Sequence, residues 1–408
     1  MSISTASSST GRFQWLDSVK GIAVIWIVLY HFLLSYGSGS LPWPISFSSF
    51  FDLVNHCGHP SILGKFSCAL ETLIAAIIQR GPHAVGVFIL FSGFGLAHSL
   101  VKRGGPKGSW TLWYVARFKR LFPVYWLAHL IFLVSPFILL HDRIDYRFLL
   151  SLAGDRIYPI DKMFFYLVPA WWFFGLLIQL YLVFPLLFKL MRRMGCVKYL
   201  GICIFLTIAA RYVLTMVEAN GYYEMGGLFF CRLWEFAAGM ALGKLMAEKS
   251  DATLGLLLSW KGFFAGAIIY ALGLFADQPT FLYYFSDGLM AMGLTVILIN
   301  VAYHLSRTPA LGSCISRAGV YSYGIYLFHQ PYVMYAGEKF RPCSLAGFLA
   351  LASAVTLLIV LGSICLEYSV NRTVNPVVEK ILSRVLPQPL KMAGSEQGER
   401  ASSQCVVK

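Results

Sequence analysis

The chain has 408 residues, 58% of them hydrophobic and 13% charged, with a mean hydropathy of +0.67. A soluble domain carries about 25% charged residues, so the composition excludes an ordinary soluble enzyme and indicates an integral membrane protein in a lipid bilayer. The formal net charge of +14 does not imply a nucleic-acid partner, because the excess falls in short loops between apolar runs, as membrane topology requires.

Apolar runs of about 18 residues or more recur along the chain, and each is long enough to cross a bilayer as a helix. They are continuous rather than alternating. Backbone in lipid must satisfy its own hydrogen bonds, so such runs are helices. About ten spans are predicted, at 21–38, 83–101, 121–140, 168–190, 197–216, 227–246, 260–276, 280–300, 318–336 and 345–369. The expected fold is therefore all-α and polytopic. No small-residue cleavage site follows the first run, which reads as a retained span rather than a signal peptide. The segment 66–80, FSCALETLIAAIIQR, is apolar but short and reads as an interfacial or re-entrant helix. Basic residues before span one and after spans two, four, six, eight and ten fall on one side, which assigns that side and both termini to the cytoplasm. The longest opposite loop, 141–167, balances Arg143, Arg147, Arg156 and Lys162 against Asp142, Asp145, Asp155 and Asp161. Residues 1–370 read as one membrane domain and 371–408 as a disordered cytoplasmic tail.

The first span opens LDSVKGIAVIWIVLYHF, with Asp17 and Lys20 at its mouth and His31 eleven residues beyond Lys20. Eleven residues advance about three turns and about 16 Å, so Lys20 and His31 share a face, with Asp17 one turn before Lys20. An ionisable group inside a membrane is costly and faces a cavity or a partner. From position alone, a histidine satisfied by a neighbouring helix is an equally good reading. The second span places Ser92-Gly93-Phe94-Gly95 mid-membrane, small enough for another backbone or a ligand to come close. The third opens ARFKRLFPVYW. Arg117 and Arg120, three apart, lie on one face and suit a phosphate or pyrophosphate clamp, though for such a pair alone ordinary positive-inside anchoring is the commoner reading. Pro123 would break the helix locally or mark where the span begins. In the sixth span Arg232 and Glu235 are also three apart and could pair. The ninth carries Ser322, Tyr323, Tyr326 and His329 ahead of Pro331, a combination that suits a kinked cavity wall. The nine cysteines are scattered. A Cys57–Cys68 pair is conceivable but weakly supported, and His56-Cys57-Gly58-His59 fits a loop better than a zinc site, so no metal is expected.

The order of these motifs resembles the membrane acyltransferase family 3, polytopic acyl-CoA-dependent O-acyltransferases. Its LDxLRGxAxxxVxxxH pattern is matched by Leu16 to His31, its FFxxSGF by Phe88 to Phe94, and its Arg-x-x-Arg before hPxY by Arg117, Arg120, Pro123 and Tyr125. Its WFLxxxxxxYxxxP is matched by Trp172 to Pro185, its RxxEFxxG by Arg232 to Gly239, and its SYxxYLxH by Ser322 to His329. The resemblance covers residues 13–370. Two positions depart from it. Lys20 replaces an arginine, keeping the charge but losing the planar fork. Leu177, Ile178 and Gln179 stand where many relatives with a fused extracellular domain have a glutamate. The chain is therefore similar to the stand-alone branch.

The resemblance implies transfer of an acyl group, most often acetyl, from acyl-CoA used as co-substrate to a sugar or cell-surface glycan hydroxyl. No permanently bound cofactor is implied, and the setting would be the inner membrane of a bacterium. It implies His31, Asp17 and Lys20 as catalytic residues, with His31 acting as general base or as transient acyl carrier. Arg117, Arg120 and Lys20 would bind acyl-CoA. Ser92, Gly93, Glu235, Tyr326 and His329 would line or support the cavity. A secondary transporter of an anionic solute is the alternative, since multiple helices with buried ionisable residues suit that class too.

Overall fold

The computed structural model describes residues 14–37, 45–57, 61–106, 108–135, 144–277, 281–340 and 345–385. Among them the secondary structure is helical, without strands. In chain order the helices are α1 (Gln14–Gly37), α2 (Phe47–Asn55), α3 (Ile62–Gln79), α4 (His83–Lys102), α5 (Trp110–Val134), α6 (Tyr146–Ala153), α7 (Ile160–Met163), α8 (Trp172–Met194) and α9 (Cys196–Met216). They continue with α10 (Leu233–Glu248), α11 (Ser250–Leu257), α12 (Trp260–Ala276), α13 (Tyr283–Leu305), α14 (Pro309–Val320), α15 (Ser322–Phe340), α16 (Leu345–Ser369) and α17 (Asn375–Val385).

A helix lies under each of the ten expected spans. By length and composition, seven helical stretches can cross a membrane, and the pair α11 and α12, bent by 64°, makes an eighth if counted as one span. The remaining expected spans fall short for local reasons. Helix α5 carries Arg117, Lys119 and Arg120 in its first half, α10 has only 16 residues, and α15 is rich in tyrosine, histidine and glutamine.

Several expectations are corrected. Segment 66–80 belongs to the 18-residue α3, which Ser61 caps by accepting from the Gly64 N–H at 3.1 Å. Its start four residues upstream of Phe66 gives it spanning length and hydropathy. Pro123 does not break α5. The helix starts at Trp110, capped by Ser109, and runs through the proline. The ninth span is divided instead, at Tyr321, between α14 and α15. Cys57 and Cys68 are joined in a disulfide with their Cα atoms 6.5 Å apart, because α2 and α3 pack side by side and bring them together. Gly58 and His59 lie outside the described residues. Past residue 370 the chain is helical to Val385, and Lys119 of α5 pairs with Glu379 of α17. Residues 386–408 lie outside the described residues.

Arg156, expected as a loop charge, is 1% exposed. The loop folds back, so that its guanidinium donates to the Tyr166 carbonyl at 2.7 Å, to Ser151 Oγ at 2.7 Å and to the Tyr125 hydroxyl at 2.9 Å. Three hydrogen bonds and the Trp171 ring, 5.6 Å below, replace the water the charge would otherwise need. Asp142 and Arg143 lie outside the described residues.

Helix α4 is the axis of the assembly. One face packs on α10, within a core shared with α8 and α9, the other with α1 and α13. Its crossing with α10 is set by glycines on both sides. A Cβ at Gly239 would run into the Leu90 carbonyl, and one at Gly93 into the Phe236 carbonyl. In lipid, where helices gain nothing from hydrophobic burial, such backbone contact supplies the packing. Gly239→Leu must therefore part α4 from α10. Overpacking of this kind costs about 3 kcal/mol, read as a large fall in the melting temperature of detergent-purified protein. Gly95→Ala meets open space and should leave that temperature within about a degree of the parent. A Gly239→Leu protein as stable as the parent would contradict this packing.

Candidate functional site

Between α1, α4, α5, α8 and α15 lies a cavity of ≈ 1070 Å³. Helix α4 lines it from His83 to Ser99, and Arg103 follows directly after the helix. That is about 30 Å of helix rise, close to the full thickness of a bilayer's hydrocarbon core. The cavity therefore extends through most of the membrane domain.

At the end where α4 finishes, the lining includes Lys20, Arg103, Arg117 and Arg120. Arg117 lies 5.5 Å over the Trp113 ring, which holds the guanidinium plane by stacking, and Arg103 and Arg120 are both within electrostatic reach of it. Arg120 also lines a small adjoining polar pocket with Lys119, Glu367, Asn371 and Asn375. Lys20 sits 3.8 Å from Asp17. Asp17 stands behind the lysine, 4% exposed and outside the cavity lining.

About 16 Å further along α1, His31 faces the cavity beside His329 of α15. His329 Nδ1 lies 2.8 Å from the Tyr326 carbonyl and 3.2 Å from the Ile325 carbonyl. Carbonyls only accept, so this nitrogen carries the proton, and in the neutral ring Nε2 holds the lone pair. His329 Nε2 is 3.2 Å from His31 Nδ1, which also lies 2.9 Å from the Ile27 carbonyl. Both neighbours of His31 Nδ1 are then acceptors, so His31 is protonated there. Its lone pair is on Nε2. The tautomer follows from the network rather than from the ring itself.

The pair is held rigidly. The Tyr326 hydroxyl donates to the Ala170 carbonyl at 2.7 Å and accepts from the Phe174 N–H at 3.1 Å, while the Trp171 indole donates to the Leu327 carbonyl at 2.9 Å. These bonds pin α15 to the start of α8. Tyr326 lines the cavity with its ring while both functions of its hydroxyl are committed to backbone.

Most of the residues singled out in the sequence come together here. His31, Lys20, Ser92, Arg117, Arg120, Tyr326 and His329 all line the cavity. Gly93 does not: it turns away to pack on α10, while Ser92 and Gly95 face inward. Glu235 is also outside the lining, 1% exposed and paired with Arg232 at 2.7 Å. Sequence reasoning missed Arg211, Glu224, Asp287 and His83, which line the end where α4 begins. Arg211 and Asp287 each interrupt an expected apolar span, and that alone marks an intramembrane ionisable residue for attention.

No curated protein and no solved structure matches the chain. A family model described as an acyltransferase domain matches residues 13–368, nearly the whole described length. The chain therefore belongs to the membrane acyltransferase family 3, as a multi-pass membrane enzyme that acylates a substrate.

Proposed function

From that membership we propose an acyl-CoA-dependent O-acyltransferase that moves an acyl group, acetyl foremost, from cytoplasmic coenzyme A to a hydroxyl of a sugar or cell-surface glycan, in the cytoplasmic membrane of a bacterium. The observation that carries this reading is His31, which lines a membrane-deep cavity with a cationic far end and carries its lone pair on Nε2. Coenzyme A is anionic at its nucleotide end and neutral along its pantetheine arm. Arg117, Arg120 and Lys20 suit the phosphates, and the separation from Lys20 to His31 suits the extended arm.

In the reaction, Nε2 takes the proton from the acceptor hydroxyl as its oxygen attacks the thioester carbonyl. The tetrahedral intermediate collapses with cleavage of the C–S bond, and the imidazolium returns the proton to the departing thiolate. His329 supports the imidazolium by accepting from Nδ1. An acyl-histidine route would consume Nε2 in the first step and then need a second base for the acceptor. His329 Nε2 is already engaged with His31, which favours the general-base route.

The test is purified protein in detergent with acetyl-CoA. Thermal stabilisation by the donor and slow thioester hydrolysis are expected. Neither stabilisation nor turnover, with the same behaviour in His31→Ala, would sink the enzyme reading as drawn.

A further inference from the structure

The charges lining the cavity divide by end. Where α4 finishes, Lys20, Arg103, Arg117 and Arg120 outnumber Glu367. Where α4 begins, two guanidiniums, Arg211 and Arg232, meet two carboxylates, Glu224 and Asp287. Asp287 lies 3.0 Å from Arg211 Nη2 and 3.6 Å from Arg232 Nη1. Arg211 Nε is 4.0 Å from Glu224, and its guanidinium lies 4.8 Å over the Tyr283 ring. Glu224 also accepts from Thr215 Oγ1 at 3.1 Å.

An ion cluster that only tied α9, α10 and α13 together would need no access to the cavity. This one stays open to the cavity: the Asp287 side chain is 27% exposed while its partner Arg211 is 2% exposed. The buried arginines fix the carboxylates, and the carboxylates present their remaining lone pairs. On the lining itself the charges are two of each sign, and Glu235, paired with Arg232 behind it, is closed off from the cavity, so this end presents no excess of either sign to a ligand. What it offers is acceptors, guanidinium donors and the Trp172 and Tyr283 side chains, which together suit a neutral molecule with several hydroxyls. His31 belongs to this end as well, since its neighbour Tyr30 packs against Gly81, two residues before α4.

We propose that this end of the cavity is the acceptor subsite. Asp287 and Glu224 accept hydrogen bonds from hydroxyls of a neutral, polyhydroxylated acceptor that are not themselves acylated, and Arg211 and Arg232 hold those carboxylates in place. The inference rests on the O-acyltransferase reading and adds the residues that select its acceptor and the charge of the molecule they select.

The experiment uses the full chain in liposomes with radiolabelled acetyl-CoA and three probes alike but for charge: methyl glucopyranoside, methyl glucuronopyranoside and methyl glucosaminide. The neutral probe should be acylated with a kcat/KM at least tenfold above either charged one. Asp287→Asn should raise its KM tenfold or more while the KM for acetyl-CoA stays within twofold. Glu224→Gln, carried on the turn before α10, should act in the same direction and supplies the reading if Asp287→Asn does not fold. Preference for a charged probe, equal shifts in both KM values, or an unmoved acceptor KM in the variants would overturn the proposal. Hydrolysis of acetyl-CoA with no probe acylated would overturn this subsite and leave the donor reading standing. No turnover of acetyl-CoA by the parent would remove the O-acyltransferase reading itself.

Discussion

His31→Ala should reduce acyl transfer by about 10²–10⁴-fold, the range contributed by a positioned general base, with the KM for acyl-CoA little changed. The reasoning is geometric. Nδ1 is committed to the Ile27 carbonyl and to His329 Nε2, so the ring cannot flip its tautomer without losing both contacts, and Nε2 is left to act on the acceptor. His329→Phe offers a contrast. It removes an acceptor from behind His31 without touching the reacting atoms, so kcat should fall by about tenfold, the worth of one ordinary hydrogen bond at its upper end. The measurement is steady-state transfer by purified protein, with both KM values and the melting temperature recorded alongside. A His31→Ala enzyme retaining more than a tenth of the parent kcat would rule out the base. A His329→Phe loss appearing wholly as instability would make His329 a packing residue.

How much of this site is legible in the sequence depends on whether the relation lies within one helix or between two. Lys20 and His31 are on one element, and helical periodicity alone puts them on one face at a calculable distance. Arg117 and Arg120 are legible in the same way, and all four do line one cavity. The Ile27 carbonyl that takes the His31 Nδ1 proton is four residues back on the same helix, but the contact with His329 joins residues 298 positions apart. No local pattern encodes it, because it depends on how α1 and α15 pack. Arg211 and Asp287 are a similar case. Each is visible as a charge within an apolar run, but their pairing needs α9 and α13 to meet. Gly93 shows a different limit. Period and size mark Ser92, Gly93 and Gly95 equally, yet the phase of the α4–α10 crossing turns only Gly93 onto the neighbouring helix. The Cys57–Cys68 bond escaped for the same reason: spacing is silent about whether α2 and α3 lie side by side.

The second large effect is expected at the opposite end of the cavity. Arg117→Ala and Arg120→Ala should each raise the KM for acyl-CoA by about 10–100-fold, since a hydrogen bond to a charged group is worth about 1.5–3 kcal/mol and each 1.4 kcal/mol is tenfold. The acceptor KM should stay within about twofold. Arg117→Lys separates charge from shape. Lysine cannot present a planar fork or stack on Trp113 as the guanidinium does, so it should recover only part of the donor affinity, and more of it at low salt, where simple charge attraction is less screened. Lys20 tests the converse. If its ammonium stands in for the family's guanidinium as proposed, Lys20→Arg should retain activity while Lys20→Ala weakens the donor. Lys20→Ala also removes a charge 3.8 Å from the Asp17 carboxylate, whose side chain is 6% exposed, so its melting temperature should fall too, and the donor KM must be read from the folded fraction. If the arginine variants raise both KM values equally, the pair anchors α5 at the membrane edge and the phosphates bind elsewhere. If the donor KM alone moves, and moves less in 0.5 M salt than in 0.05 M, the cationic end of the cavity is where coenzyme A enters.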